Sequence, residues 1–348
     1  MDNFIEKICD DIFKTQDFNH FNNKTILITG ANGLLGGIIS DFFSYLNENK
    51  NFKINLLLTS KSEFSKLTRI KHLLDKEYVK YFSHDMTKSS PFSNISGYKI
   101  DYCFYSSGYA TPTKFLDNPI ETLNINTNGL YETLKFVTNN NSNSKFLYMS
   151  SGEVYSANDN TDLYKETDVI NIDIDNKRNF YKVGKIAGEL LVNSFRDKGF
   201  KASSIRTTIC YGPGVEENDN RVLSDLIRKG IKNNSIQLMD SGQSTRKLLH
   251  ITDFCSMIFN IIKTCNSENY NVNGKDELSI IEMARIISKS LNKPVIPGNE
   301  INLITKYSAN SVSMSINRYE KEFGKHSFKP VEEGITELVE WYKTILNH

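Results

Sequence analysis

The chain has 348 residues, of which 39% are hydrophobic and 24% charged, which is an ordinary globular composition. Its formal net charge of +1 argues against the basic surface of a nucleic-acid-binding protein. No apolar stretch approaches the ~20 residues of a membrane-spanning helix, and the acidic N-terminus is unlike a secretory signal. The length suits one large α/β domain with a smaller domain appended.

The cysteines form no functional pattern. Five are scattered along the chain, and no two have the spacing of a zinc site or a redox pair. Reduced thiols in a cytoplasmic protein explain this distribution best. We therefore expect a cytoplasmic location and no metal site.

The first predicted element is an amphipathic helix within residues 1–22. Its apolar residues recur at helical spacing and share one face: Phe4, Ile5, Ile8, Ile12 and Phe13. Packing of this helix onto its own domain is the simpler interpretation, and binding of a partner is the alternative. We treat residues 1–22 as an N-terminal helical extension.

Short apolar runs then alternate with helical patterns. Five runs predict strands, at residues 24–29, 54–58, 79–82, 102–105 and 145–149. Strands that alternate with helices predict an α/β fold with a doubly wound parallel sheet. Residues 156–177 are polar and predict a surface loop.

The pattern changes after Gly212-Pro213-Gly214, where helices become more frequent than strands. We therefore expect a dinucleotide-binding domain over residues 23–211. Residues 212–348 are expected to form mainly a smaller α/β substrate-binding domain, with some segments returning to the first domain.

A glycine cluster follows the first predicted strand. Gly30, Gly33 and Gly36 stand in a GxxGxxG pattern before a predicted helix that extends to about Leu46. Glycines in this context permit a tight turn and let backbone N–H groups approach a pyrophosphate, to which the helix N-terminus adds partial positive charge. A purely structural turn is the alternative, but the strand-turn-helix context favours a dinucleotide site.

The end of the second predicted strand bears on which dinucleotide binds. NAD sites usually place an acidic residue here to bind the ribose 2′-hydroxyl, whereas this chain has Ser60 and Lys61. Lys61 and Arg69 could instead neutralise the 2′-phosphate of NADP. The choice between NAD and NADP stays open at this point.

A Tyr-x-x-x-Lys motif lies in a later helical segment. Spacing of i,i+4 puts Tyr181 and Lys185 on one face of the helix. A nearby ammonium should lower the pKa of the phenol from about 10, so that Tyr181 could take a proton from a hydroxyl as hydride leaves the same carbon. A solvated helix face is the alternative. Ser151 follows the fifth strand, at the sheet edge where α/β folds bind ligands.

Together these motifs resemble the extended branch of the short-chain dehydrogenase/reductase family, of the NAD-dependent epimerase/dehydratase type that acts on nucleotide-sugars. The resemblance covers roughly residues 24–345. It implies a Rossmann fold, a homodimer formed through a four-helix bundle, and an NAD or NADP cofactor. The cofactor-binding residues that it implies are Gly30, Asn32, Gly33, Leu34, Leu35, Gly36, Ser60, Lys61, Asp85, Met86, Tyr181 and Lys185.

The resemblance also implies a set of substrate-side residues. Arg221 and Arg246 correspond to diphosphate-binding arginines, and Arg178 to a residue that could hold a sugar carboxylate. Asn126 matches the Asn of the family's central helix and is counted with this set. The family's substrate-contacting Asn is replaced by Ile209. For each arginine, a surface salt bridge is the alternative.

Glu153 bears on which reaction follows oxidation of the sugar. The resemblance implies that Ser151, Glu153, Tyr181 and Lys185 are catalytic and that the reaction passes through a 4-keto-sugar. Decarboxylases and 4,6-dehydratases place Glu at this position, often after Ser or Asp, but here Gly152 precedes it. A structural loop carboxylate is the alternative role.

We rank a UDP-glucuronate decarboxylase-like reaction first, a 4,6-dehydratase second, and a 4-epimerase or ketosugar reductase third. Dehydrogenation with release of the reduced cofactor is a further alternative. A non-enzymatic dinucleotide-binding protein of this fold would typically lack the Tyr or the Lys, and both are present.

Overall fold

The computed structural model describes residues 2–88, 92, 95, 97–109, 111–155, 163–168, 170–298 and 312–346. Its strands are β1 (Thr25–Thr29), β2 (Asn55–Ser60), β3 (Val79–Ser83), β4 (Tyr102–Tyr105), β5 (Lys145–Met149), β6 (Lys201–Thr207), β7 (Ile209–Tyr211), β8 (Ile236–Gln237), β9 (Thr245–His250), β10 (Asn269–Val272), β11 (Glu277–Ser279) and β12 (Val295–Ile296).

Its α-helices are α1 (Asn3–Phe13), α2 (Leu34–Asn49), α3 (Pro112–Asp117), α4 (Pro119–Asn124), α5 (Leu130–Asn140), α6 (Asn179–Arg196), α7 (Val222–Lys232), α8 (Ile251–Thr264), α9 (Ile280–Leu291), α10 (Asn317–Phe323) and α11 (Val331–Leu346). A π-helical turn, Ile125–Gly129, joins α4 to α5.

A seven-stranded parallel sheet organises the molecule. Its strand order is β10-β6-β5-β4-β1-β2-β3, so the chain crosses over at β1 and builds outward in both directions. Strands β1, β2, β4 and β5 are almost wholly buried, as expected for a parallel sheet with helices on both faces. The predicted α/β, Rossmann-like fold is confirmed.

The five predicted strands are all present in the sheet, with ends shifted by one or two residues. Two further strands, β6 and β10, were not predicted. Strand β10 follows β7, β8 and β9 in the chain but pairs in parallel with β6 of the main sheet. The division into a dinucleotide-binding and a substrate-binding domain stays a prediction.

The N-terminal helix is shorter than predicted. Helix α1 ends at Phe13, and residues 14–22 include a turn and a short 3-10 helix. Ile5, Ile8 and Ile12 are buried on the face that meets α2 and α8. The apolar face is therefore used within the chain, as the simpler interpretation expected.

A second core lies under the smaller sheets. Strand β9 pairs in parallel with β7 and antiparallel with β11, while β8 pairs with β12. Helices α7, α9 and α11 pack against one another around a set of buried side chains that includes Leu226, Met283, Ile287, Ile335 and Tyr342. Helix α8 packs against β5, β6 and β10 of the main sheet and also against β7 and β9 of the smaller one.

The structure also describes the cysteines, any membrane-spanning helix, any metal-binding cluster and the predicted loop 156–177. All five cysteines are buried and free of disulfides. Within the described ranges, no helix is long and apolar enough to cross a membrane, and no group of three or more His, Cys, Asp or Glu side chains could hold a metal ion. Of the predicted surface loop 156–177, residues 156–162 and 169 lie outside the described residues, and residues 171–177 are exposed.

Candidate active site

The glycine turn after β1 forms a narrow cradle. Gly30 has φ of +66°, and a Cβ there would lie 2.6 Å from the Ser106 carbonyl oxygen. A Cβ on Gly36 would lie 2.4 Å from the Gly30 carbonyl oxygen. Helix α2 begins directly after Gly33 without a side-chain cap, so its first N–H groups are directed at the turn. This cradle fits the pyrophosphate of a dinucleotide.

The remaining residues of the turn have supporting contacts. The Asn32 side-chain oxygen accepts hydrogen bonds from the backbone N–H groups of Thr68 and Arg69, at 3.3 and 3.0 Å. Leu34 and Leu35 are half-buried and pack against the core of the main sheet. The turn is therefore braced by the segment that follows β2.

The ends of β2 and β3 meet through an ion pair. Lys61 Nζ lies 3.3 Å from an oxygen of Asp85, and the Ser60 hydroxyl lies 2.7 Å from that of Tyr81. Burial opposes ionisation of Asp85, but hydrogen bonds from Thr87 and Lys61 outweigh it and hold its pKa below the usual value. Met86 is buried beside the π-helical turn. The predicted cofactor residues of this edge are thus adjacent.

Arg69 has a different environment from the one that an NADP site would need. Its guanidinium pairs with Asp41, which is fully buried in α2, and lies against Gly37 and Gly214. This pairing leaves Arg69 engaged inside the fold. Lys61, whose side chain is 63% exposed, is the member of the predicted cation pair that solvent reaches.

Lys185 is buried at the carboxyl end of β5. Its Nζ donates a 2.7 Å hydrogen bond to the Met149 carbonyl oxygen and lies 5.6 Å from the centroid of the Tyr181 ring. Burial lowers the pKa of Lys185 to about 7, although the Glu189 carboxylate opposes the shift. Tyr181 and Lys185 therefore share one face of α6, as their spacing predicted.

The pKa of Tyr181 was expected to be lowered, and this expectation is wrong for the protein alone. Burial and then the Glu153 charge raise this pKa, against the smaller effects of a hydrogen bond with Ser151 and of the Arg178 charge. The physical reason is that buried Lys185, whose pKa is about 7, loses its proton well before the phenol ionises. Without an ammonium charge beside the phenol, burial dominates the pKa of Tyr181.

Ser151 and Glu153 lie on a short turn after β5. The Ser151 hydroxyl oxygen accepts a 3.1 Å hydrogen bond from the Glu153 N–H and caps the 3-10 turn Gly152–Val154. A Cβ on Gly152 would lie 3.0 Å from the methyl carbon and 3.1 Å from the sulfur of Met314, which is buried. Met314 therefore occupies the space where a side chain at position 152 would begin.

Glu153 and Arg178 form an ion pair beside Tyr181. Arg178 Nη2 lies 3.2 and 3.3 Å from the two carboxylate oxygens. The Arg178 guanidinium also lies over the Phe115 ring, 5.5 Å from its centroid. The same Phe115 ring stacks on Tyr181, with centroids 4.6 Å apart and planes at 19°. The predicted roles of Glu153 and Arg178 are therefore coupled.

The two predicted diphosphate-binding arginines differ in the partners that they have within the chain. Arg221 binds Asp219 at 2.9 Å and the Cys210 carbonyl at 3.0 Å. Arg246, on β9, donates to the Thr245 carbonyl at 2.7 Å. Burial and then the nearby Arg178 charge lower the pKa of Arg246. Two like charges are thus close together, which favours an anion between them.

Asn126 lies inside the fold. Its amide nitrogen donates to the Thr122 carbonyl at 2.7 Å, and its oxygen accepts from the Tyr148 hydroxyl at 2.7 Å. The side chain is 1% exposed. This placement favours a structural role in the π-helical turn over the substrate contact with which it was grouped.

A buried polar network supports the catalytic turn from behind. Glu189, one helical turn after Lys185, accepts hydrogen bonds from Ser150 at 2.6 Å and from Arg206 at 2.7 Å. Arg206 also donates to the Tyr155 hydroxyl at 2.6 Å. The network ties β5, α6 and β6 together, and its charges are paired as burial requires. Sequence patterns did not indicate Ser150 or Glu189.

Comparisons with known proteins agree with this geometry. UDP-glucuronic acid decarboxylase 1 of Xenopus tropicalis is 21% identical over 332 residues, which cover 94% of this chain and 74% of that protein. The structure of dTDP-glucose 4,6-dehydratase from Bacillus anthracis in complex with NAD is 18% identical, with a TM-score of 0.75 and coverage of 92% and 97% of the two chains. UDP-N-acetylglucosamine 4-epimerase from Methanobrevibacter ruminantium is 19% identical, with a TM-score of 0.77 and coverage of 93% and 99%.

The profile of the NAD-dependent epimerase/dehydratase family matches residues 26–273, from β1 to the residue after β10. This range contains the glycine turn, the Ser151 turn, Tyr181, Lys185 and the arginines at 178, 221 and 246. The match covers well over half of the chain and spans the whole main sheet. The chain is therefore an enzyme of the NAD-dependent epimerase/dehydratase family, with a nicotinamide dinucleotide as its cofactor.

Proposed function

We propose that this enzyme oxidises the C4 hydroxyl of a nucleotide-sugar and then converts the resulting 4-ketone within the same site. The observation that carries the proposal is the meeting of Ser151, Glu153, Tyr181 and Lys185 at the carboxyl edge of the sheet. Ligands of open α/β folds bind at this edge. When bound, the nicotinamide supplies the hydride acceptor and, in its oxidised form, a positive charge.

Tyr181 would act as the base that takes the C4 hydroxyl proton. The Ser151 side chain forms a hydrogen bond with Tyr181, which lowers the pKa of the phenol. Lys185 would be able both to hold and to release a proton near neutral pH, since burial lowers its pKa to about 7. A phenol with a raised pKa keeps its own proton at neutral pH, so positive charge near its oxygen is required to release that proton before Tyr181 can accept one from the substrate.

Arg178 and Arg246 support an anionic substrate. Their guanidiniums repel each other, Glu153 pairs with Arg178, and the Asp240 charge offsets part of the effect on Arg246. A diphosphate bound by Arg246 would relieve that repulsion, with Arg221 at the start of α7 as a second contact. The substrate class proposed for the chain is therefore a nucleoside-diphosphate sugar.

Among the reactions of this class, decarboxylation of a uronate fits the site best. In a 4-ketouronate the ketone is β to the carboxylate, so the C5–C6 bond can break with its electrons passing to the ketone. Carbon dioxide leaves, C5 is then protonated, and the hydride returns to C4. In this proposal Arg178, which now pairs with Glu153, would hold the carboxylate before it is lost.

Dehydration is the second candidate, and it is favoured by the Glu153 carboxylate close to Tyr181. Removal of water from C5 and C6 needs a base at C5 and an acid for the leaving hydroxyl. Glu153 could serve as one of these groups. Gly152 supplies no second group, and Met314 occupies the space beside it.

A panel of nucleotide-sugars tests the proposal. UDP-glucuronate, dTDP-glucose and UDP-N-acetylglucosamine would each be incubated with the enzyme and NAD or NADP, and the products weighed by mass spectrometry. We expect loss of carbon dioxide from UDP-glucuronate without net formation of NADH or NADPH. Loss of water would indicate the dehydratase, an isomer of unchanged mass the epimerase, and stoichiometric reduced cofactor a simple dehydrogenase. Binding of each dinucleotide, measured in the same samples, tests NAD against NADP.

The homodimer and the cytoplasmic location remain predictions. Support for the first comes from exposed apolar side chains on two helices that pack together, α4 and α6. Ile120 on α4 is 67% exposed and Leu190 on α6 is 62% exposed. Apolar side chains at such exposure, on adjacent helices, are typical of a covered face.

A further inference from the structure

Phe115 stands out among the described residues of the site because it is apolar yet contacts two charged or reactive groups at once. It lies on α3, which begins with Pro112, and its side chain is buried. The Phe115 ring stacks on the Tyr181 ring, with centroids 4.6 Å apart, and the Arg178 guanidinium carbon lies 5.5 Å from the Phe115 centroid. Tyr181 and Arg178 are three residues apart, so both project from the start of α6 toward α3.

We propose that Phe115 is a positioning residue, whose ring fixes the orientation of the Tyr181 phenol and of the Arg178–Glu153 ion pair for the oxidation step. This inference rests on the proposed function. Phe115 itself contributes no proton or charge to the reaction. Aromatic stacking and cation–π contact are the two interactions that allow one ring to orient a phenol and a guanidinium together.

The backbone around Phe115 is itself held against α6. The Thr122 hydroxyl on α4 donates to the Phe115 carbonyl oxygen at 3.5 Å and to that of Asn118 at 2.7 Å. Helix α4 in turn packs closely against α6. The Phe115 backbone is therefore linked to α4, which itself packs against α6.

The need for such support follows from the geometry of proton transfer. The phenol oxygen must reach the substrate hydroxyl while the hydride leaves the same carbon, and a misplacement of about 1 Å can cost on the order of 100-fold in rate. Lys185 lies beside the Tyr181 ring but is bonded to the Met149 carbonyl. A second contact to the ring is the stacked Phe115 side chain.

Phe115→Leu tests the proposal, because leucine keeps an apolar side chain but removes the aromatic face. The control is Phe92→Leu, since Phe92 stacks on Phe136 with nearly the same geometry, 4.7 Å and 19°, in the core beneath β3 and α5. With the nucleotide-sugar that turns over in the panel, we expect Phe115→Leu to lower kcat by on the order of 10- to 100-fold with little change in KM. We expect Phe92→Leu to lower thermal stability only.

A second measurement needs no substrate, so it separates this inference from the proposed function. Titration of protein labelled with ¹³C at the tyrosine ring, with Tyr181→Phe used to assign the signal, gives the pKa of Tyr181. We expect Phe115→Leu to move that pKa down toward the ordinary value near 10, because the covering ring is lost. Phe115→Tyr, which keeps the ring, should leave both kcat and the titration close to wild type.

The proposal is overturned if Phe115→Leu changes neither the Tyr181 titration nor kcat beyond what Phe92→Leu does. It is also overturned if Phe115→Tyr is as impaired as Phe115→Leu, since the ring would then be irrelevant. Should Phe115→Leu fail to fold, Phe115→Met provides the same comparison with a more adaptable side chain.

Discussion

The Arg178 guanidinium lies 3.2 Å from the Glu153 carboxylate, and the two charges act on Tyr181 in opposite directions. Glu153 raises the pKa of the phenol and Arg178 lowers it. Both side chains are partly exposed, so the pair contributes little to stability. The pair matters because a substrate that separates Arg178 from Glu153 would change the net charge beside the Tyr181 phenol.

Substitutions of this pair should therefore shift the pH dependence of C4 oxidation in opposite directions. Glu153→Gln removes the negative charge, so the Tyr181 pKa falls and the acidic limb of the rate profile moves to lower pH. Arg178→Met removes the positive charge and moves that limb to higher pH. Single-turnover reduction of the dinucleotide, followed from pH 6 to 9, measures both. Shifts in the same direction would refute the assigned electrostatics.

Tyr181→Phe should abolish turnover while the dinucleotide stays bound. The substitution removes the proton-accepting oxygen but keeps the ring that stacks on Phe115. General-base catalysis typically contributes 10²- to 10⁴-fold, and a loss in this range is expected. Activity assays and calorimetric binding of the dinucleotide provide the two readouts. Retention of more than about a tenth of wild-type kcat would exclude Tyr181 as the base.

Lys185→Met should change how stability depends on pH. The pKa of Lys185 is lowered to about 7 in the folded protein, whereas an unfolded lysine titrates near 10.4. Between these values the unfolded chain binds a proton that the folded chain does not, so wild-type stability rises with pH.

The variant lacks this rise. Its free energy of unfolding relative to wild type should therefore be more favourable at pH 7 than at pH 9, by up to about 3 kcal/mol. Urea denaturation of both proteins at the two pH values measures the difference. Parallel pH dependences would show that Lys185 is charged in the folded state throughout this range.

Arg246→Ala should weaken binding of a nucleoside diphosphate. A charged hydrogen bond typically contributes about 1.5–3 kcal/mol, which corresponds to a loss of about 10- to 100-fold in affinity. Titration calorimetry with UDP in the presence of NAD measures this loss. Arg228→Ala is the control, since Arg228 on α7 is paired with Asp225. Equal losses in the two variants would indicate a general effect of charge.

Leu190→Glu should produce a monomer if the predicted homodimer forms through α4 and α6. A buried, unpaired carboxylate at an apolar interface is strongly unfavourable, whereas in a monomer it would be solvated. Light scattering after size-exclusion chromatography measures the mass. Ile174→Glu, at an 89% exposed loop position, is the matched control. A wild-type monomer would contradict the prediction at once.

Several of the strands that sequence patterns located have apolar side chains on both faces, as Leu57 of β2 and Phe104 of β4 show. Strand β6 was missed because Ser203, Ser204 and Arg206 interrupt its apolar pattern. In the structure Ser203 binds the Ser267 carbonyl and Arg206 binds Glu189, so burial of these polar groups is compensated. Such partners lie far away in sequence and leave no local signal.

The site divides in the same way. Motif spacing and the family resemblance indicated Ser151, Tyr181 and Lys185, which the structure brings together after β5, and their catalytic roles stay predictions. Phe115 and Met314 gave no signal, since apolar residues are common and their contacts arise only from folding. The direction of the Tyr181 pKa was also missed, because it depends on burial and on the orientation of Lys185.

Strand β10 is made about 60 residues after the predicted boundary at residue 211, yet it completes the edge of the main sheet beside β6. Until it emerges from the ribosome, β6 has an open row of backbone donors and acceptors, and the Tyr155 hydroxyl lacks its bond to Asn271. A shortened product that stops at residue 211 should therefore associate with itself instead of binding a dinucleotide. During biosynthesis, the edge of β6 therefore stays unpaired until the residues of β10 have been added.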